Sequence, residues 1–168
     1  PFLTSAAVGR GVEDTLRGFF DLPHAKLTNS WTNGAVATLL ALGIGPGDEV
    51  IVPAMTFIAS ANVATLVGAT PVVVDVAPDT LLIDPGAVAA ALTPRTRAVM
   101  PVHLYGQMVD VPALRRVVGP EIAIVEDAAH CFEGTRDGLR PGAASEAAIF
   151  SFYDTKNVTC GEGGAVVT

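Results

Sequence analysis

Short apolar runs alternate with helical stretches from Lys26 to the end of the chain, and this alternation constrains the fold more than any other feature. Glu49 to Pro53, Thr70 to Val76, Arg97 to His103, Ile122 to Asp127, Ala147 to Phe152 and Gly164 to Thr168 read as strands. Lys26 to Asn29 reads as a short strand or its end. Thr32 to Leu42, Phe57 to Val67, Pro85 to Leu92 and Val111 to Val118 read as helices, the third with Asp84 as N-cap and Pro85 in its first turn. An earlier helix puts Val12, Leu16, Phe19 and Phe20 on one face. Such a pattern implies an α/β fold, a mostly parallel sheet with helices on both faces. Half of the 168 residues are hydrophobic and 16% are charged, as buried strands require.

The chain shows no internal repeat, low-complexity tract or linker, and its length suits one domain with a real core. A net charge of −7 argues against nucleic acid as a partner. Cys131 and Cys160 lie in no CxxC or Cys/His cluster, so no metal site is expected. No apolar run reaches the ~18 residues of a membrane span, and no basic leader opens the chain. A cytoplasmic protein is expected.

On a parallel sheet, ligands sit at the carboxyl ends of strands. Phe57, His103, Asp127 and Lys156 all follow expected strands. Lys156 lies between the aromatic run Phe152-Tyr153 and the glycine cluster Gly161-Glu162-Gly163-Gly164. A lysine in such a place is either a solvated surface residue or, if desolvated, a nucleophile or base. Asp127 ends an apolar strand beside Glu126 and is either a structural cap or ion-pair partner, or the acid that holds a pyridinium nitrogen. A lysine amine for covalent attachment and an acid tuning the bound ring together read as a pyridoxal phosphate site.

Thr32 and Asn33 open the first core helix after Ser30 and Trp31, where they serve as plain caps or as a phosphate cradle. Ser151 offers a further phosphate contact or simple strand packing. Phe57 is either core or a ring that stacks on a flat ligand. His130 is placed to bond a ring hydroxyl. His103 either lines the site or satisfies a backbone group. Gly43-Ile44-Gly45-Pro46-Gly47 precedes a strand instead of following one, so it is a turn and not a dinucleotide fingerprint; Gly161 to Gly164 lacks the Lys-Ser/Thr of a P-loop.

Several segments together resemble the DegT/StrS-type sugar aminotransferases, pyridoxal phosphate enzymes of fold type I. They are Leu42 to Val50, Gly68 to Val72, Thr93 to Thr96, Pro101 to Gly106, Glu126 to His130 and Ser151 to Gly164, and the resemblance runs from about Leu27 to Thr168. The stretch Lys156 to Gly164 looks most like the branch acting on nucleotide-linked 4-keto sugars, including aminoarabinose transaminases. The resemblance implies that Lys156 carries the pyridoxal 5'-phosphate and that Asp127 meets its ring nitrogen. It likewise implies that His130 contacts the ring oxygen, that Phe57 stacks, and that Thr32, the backbone at Asn33 and Ser151 hold the phosphate. Dehydratase offshoots of the family carry histidine at the lysine position, so Lys156 favours transamination.

Two departures stand out. The usual Ser-Gly-Thr-Ala phosphate motif reads Ser30-Trp31-Thr32-Asn33, with a bulky indole in place of glycine; the threonine is retained, and cofactor binding is expected to be retained with it. Family members run to more than twice this length, so residues 1–168 are expected to be part of the large cofactor-binding domain, without the smaller C-terminal domain. The expected activity is amination of a keto-sugar, nucleotide-linked and at C4, with glutamate as amino donor and a homodimer as the working unit. The alternatives are a non-catalytic or partner-binding remnant of the same fold, and an enzyme aminating a cyclitol.

Overall fold

The computed structural model describes residues 7–168. Helix α1 (Ala7–Phe20) leads into strand β1 (Ala25–Thr28) and helix α2 (Trp31–Ala41). Then follow β2 (Glu49–Pro53), α3 (Ala59–Leu66), β3 (Thr70–Val74), α4 (Pro85–Ala91) and β4 (Thr96–Val99). A 3₁₀ turn at Leu104–Gly106, α5 (Val111–Val118), β5 (Ala123–Asp127), β6 (Ala147–Ser151) and β7 (Gly164–Val167) complete the order.

The strands form one seven-stranded sheet in the order β1-β7-β6-β5-β4-β2-β3. β7 pairs antiparallel with both β1 and β6, and every other pairing is parallel, so β7 alone runs against the rest. β7 follows a loop closed at its base between Phe152 and Gly163 and inserts between β6 and β1.

Strand periodicity divides the interior into two faces. Val50, Val52, Ala98, Val125 and Ile149 pack with Trp31, Ala35 and Leu39 of α2 and Val63 and Ala64 of α3. The intervening residues Ile51, Val99 and Ile124 pack with Val88 of α4 and Val111, Leu114 and Val118 of α5. Ala148 and Phe150 of β6 turn to the second face as well, where they meet Leu16 and Phe20 of α1. The expected parallel sheet with helices on both faces is the observed one.

Three of the boundaries that differ from the sequence reading shift by two residues or more. β4 stops at Val99 instead of His103, because Pro101 has no N–H to continue the ladder; the chain touches the sheet again in an isolated bridge between Val102 and Asp127. β3 ends at Val74, and Val76 instead forms an antiparallel bridge to Ile83. α3 begins at Ala59, two residues after Phe57, and Phe57 remains in the preceding loop with 75% of its surface exposed. That last shift frees an aromatic ring at the carboxyl edge of the sheet.

Candidate active site

Because six strands point the same way, their carboxyl ends gather along one edge. The segments leaving β1, β2, β4, β5 and β6 enclose a cavity of about 670 Å³ there. Its lining includes Thr32, Phe57, Tyr105, Asp127, His130, Ser151 and Lys156. A volume of this size is typical of small-molecule and cofactor sites, which run from ~300 to ~1,000 Å³.

Asp127 is the last residue of β5 and shares a sheet face with Val125, so its side chain points toward α2 and α3. There Ser60 Oγ donates to its Oδ2 at 2.8 Å and the Ala129 N–H donates to its Oδ1 at 3.1 Å. Burial pushes the Asp127 carboxyl above its ordinary range, against the pull of these two donors and of the Lys156 charge. A buried carboxyl of this kind favours a cationic or proton-sharing partner in the cavity.

Glu126, one residue earlier, faces the other way. Its Oε2 meets His103 Nε2 at 2.5 Å, while its Oε1 accepts from Gly142 N and Ser145 Oγ. His103 Nδ1 accepts the Val109 N–H at 3.1 Å, which puts the ring proton on Nε2. His103 is wholly buried and satisfies a backbone group outside the cavity lining. Of its two sequence roles, the structural one holds.

Lys156 sits in the loop between β6 and β7. The Phe152 N–H donates to Gly163 O and the Cys160 N–H to Phe152 O, which close the loop at its base, and the Lys156 N–H donates to Tyr153 O at 2.9 Å. The lysine is half-buried on the cavity wall. Its positive charge reaches both Asp127 and His130, and with burial it lowers the His130 pKa.

The N-terminus of α2 closes another side. Ser30 caps the helix, its hydroxyl accepting the Asn33 N–H at 3.2 Å. Gly164 on β7 lets this turn lie flush on the sheet: a Cβ there would stand 2.7 Å from Ser30 C and 2.8 Å from Trp31 N. Thr32 reaches the cavity with Ser30 and Trp31, and Ser151 lines it from the end of β6. Asn33 departs from the sequence reading. It lies outside the lining, its N–H is taken by the cap, and its side chain donates to Asn29. Trp31, in the place of the usual glycine, is buried against Ala35 and Leu39, and its Nε1 is a buried donor with no hydrogen-bond partner among the described residues.

Ser60 and Tyr105 are among the lining residues not singled out from sequence. Ser60 carried a signal: it is a polar residue on the same stripe of α3 as buried Val63 and Ala64. Tyr105, in the segment Pro101 to Gly106, carried none for its backbone, which adopts φ 54°, ψ 30°.

The donor set can be matched to a flat, phosphorylated pyridine. A helix N-terminus with two hydroxyls suits a dianion, a buried carboxyl suits a ring N–H, a lysine amine suits a carbonyl carbon, and an exposed aromatic suits a ring face. The residues present fit such a group. Among the described residues, no cluster of His, Cys, Asp and Glu could hold a metal ion, and no helix is long and apolar enough to cross a membrane.

Fold and site together match one class, the pyridoxal-phosphate-dependent aminotransferases. Residues 4–168 match the model of the DegT/DnrJ/EryC1/StrS aminotransferase family, and the chain belongs to that family. It is 44% identical over 167 residues to GDP-perosamine synthase of Caulobacter vibrioides, covering 97% of this chain and 45% of that protein. Among solved structures, S. venezuelae DesV in complex with a ketimine intermediate superposes with a TM-score of 0.94 at 46% identity, over 97% of this chain and 44% of that one. A sugar aminotransferase homologue from Streptococcus pneumoniae, Spr1654 in its PMP form, gives 0.93 at 36% identity, over 98% of this chain and 46% of its own. The chain thus spans less than half the length of these relatives.

Proposed function

We propose that the protein is a pyridoxal-phosphate-dependent aminotransferase that converts a nucleotide-linked keto-sugar into an amino sugar at C4, with glutamate as amino donor. The observation that carries this reading is the convergence of Lys156, Asp127 and His130 on one cavity beside the N-terminus of α2. The sugar substrate is supported by the similarity to GDP-perosamine synthase and DesV.

Bound in the cavity, the cofactor would supply an electrophilic carbon for an amine and a ring that accepts an electron pair. The chain's own residues do the rest. Lys156 Nζ is the nucleophile that holds the cofactor, and once displaced it takes and returns the proton at the substrate carbon. Asp127 keeps the proton on the ring nitrogen, an interaction strengthened by its burial. His130 donates to the ring oxygen, and Phe57 covers one ring face. The hydroxyls of Thr32 and Ser151, with the positive end of α2, hold the phosphate. The apolar, exposed rim Met55, Phe57 and Ile58 suits burial against a second copy in a homodimer. A cytoplasmic setting suits the two free cysteines.

The test is an absorption spectrum of the protein with pyridoxal phosphate, repeated after glutamate. A visible band that forms and then moves to the near ultraviolet supports the reading. Absence of any band overturns it, and a band insensitive to glutamate overturns the donor assignment.

A further inference from the structure

The segment Leu104–Gly106 is held in an unusual conformation directly against His130. Tyr105 adopts φ 54°, in the left-handed region that an aromatic residue rarely enters, and Gly106 follows at φ 85°. A left-handed non-glycine residue is strained and persists where its surroundings over-determine it. Here they do. On one side His103 is locked between Glu126 and the Val109 N–H, and Leu104 is buried. On the other, Cys131 Sγ donates to Gly106 O at 3.4 Å.

The consequence falls on His130. The Tyr105 ring lies parallel to the imidazole, with centroids 5.7 Å apart and planes inclined by 5°. The Tyr105 N–H donates to His130 Nδ1 at 3.4 Å. An imidazole whose Nδ1 accepts carries its proton on Nε2 when neutral. The stack fixes the plane of the ring and the backbone bond fixes its tautomer.

We propose that Tyr105 is a positioning residue: it holds His130 as an Nε2–H donor, in a fixed plane, toward the oxygen of the bound pyridine ring. The inference rests on the aminotransferase reading for the identity of that ring. The contact itself belongs to the chain and is testable without the cofactor.

Two measurements test it. The first is the ¹⁵N signature of the His130 ring in the cofactor-free protein, assigned against His130→Gln. The parent and Tyr105→Phe, which keeps the stack, are expected to show the single Nε2–H tautomer. Tyr105→Gly lacks the ring whose stack keeps the residue 105 N–H against Nδ1, and its backbone is free to swing away from φ 54°, so it is expected to show a mixture of tautomers. The second is pyridoxal phosphate affinity in a double-mutant cycle. Tyr105→Gly is expected to weaken binding about fivefold in the parent, ~1 kcal/mol, and to have no effect in His130→Ala. An unchanged His130 signature in Tyr105→Gly, or equal losses with and without His130, would overturn the proposal. The tautomer result stands apart from cofactor chemistry, so its failure leaves the aminotransferase reading intact. Failure of the parent to bind pyridoxal phosphate would sink that reading and not the Tyr105–His130 contact.

Discussion

Ser60 Oγ donates a 2.8 Å hydrogen bond to Asp127 Oδ2, joining α3 to the end of β5 across a sequence separation of 67 residues. Ser60 is wholly buried and shares a second hydrogen bond with Thr56 Oγ1 at 2.7 Å. The carboxylate that meets the cavity is therefore positioned from the first turn of α3, which is tied through Thr56 to the loop that presents Phe57. Its backbone is positioned by the segment that follows β4, where the Asp127 N–H donates to Pro101 O.

Asp127 has a pKa raised in the folded state, with burial as the main cause. Its stabilising contribution is complete below the unfolded carboxylate range and is lost as pH rises through the raised value. Asp127→Asn removes the penalised charge. The cofactor-free variant is expected to melt above the parent at neutral pH. That difference closes in acid, where Asp127 is already neutral. Turnover is expected to fall by about 10²-fold or more, as when one preorganised electrostatic partner is removed. Thermal melts at two pH values and a steady-state assay check both; a variant less stable at neutral pH would refute the buried-charge account.

Lys156→Ala is expected to abolish covalent attachment of pyridoxal phosphate and all turnover, while leaving the fold intact, because the side chain lies in a loop on the cavity wall. Borohydride reduction followed by mass measurement gives the readout. A reduced adduct retained in the variant would move the attachment to another amine.

Gly164→Ala tests the seating of α2. The new methyl would meet Ser30 C, Trp31 N and Phe150 O at 2.7–2.8 Å, all backbone atoms that cannot swing aside. A loss of about 1–3 kcal/mol in stability is expected, as for overpacking, together with weaker pyridoxal phosphate binding as the helix N-terminus lifts. Urea unfolding and the fluorescence of Trp31, the single tryptophan, report the two effects separately.

Glu126→Ala would leave His103 Nε2, Ser145 Oγ and Gly142 N without their buried acceptor. Removing one partner of a buried pair costs about 3–5 kcal/mol. Chemical denaturation is expected to show a loss of that size. A loss below 1 kcal/mol would mean that the site relaxes or admits water.

The two thiols are expected to differ in reactivity. Burial pushes the Cys131 thiol up to about 11, whereas Cys160 is exposed. A thiol reagent at pH 8 should label Cys160 in the native protein and Cys131 only after unfolding, since the thiolate is the reactive form. Rapid native labelling of Cys131 would show that its cover over Gly106 opens.

Local pattern was enough for the alternating elements, the two-faced sheet and most of the site. Apolar runs of period two and helices of period 3.6 report burial directly, and the residues that end the strands must share one edge of a parallel sheet. On that ground Phe57, His103, Asp127 and Lys156 are expected together; the cavity takes in Phe57, Asp127 and Lys156 but not His103, which is buried beside Glu126, while His130 and Ser151 are candidates on the separate ground of cofactor contacts. Asn33 was misplaced because a backbone N–H at a helix start has two available acceptors, and the hydroxyl of Ser30, three residues away, takes it. The choice of partner at short range is a matter of geometry that residue type leaves open.

Other features required the folded chain, because they depend on contacts between distant segments. The reversal of β7, the pairing of Ser60 with Asp127 and the burial of His103 against Glu126 each join parts of the chain brought together by packing. The left-handed backbone at Tyr105 has no local cause in its sequence. It is imposed from His103, Cys131 and His130, and a conformation held by neighbours against its own preference becomes visible once those neighbours are in place.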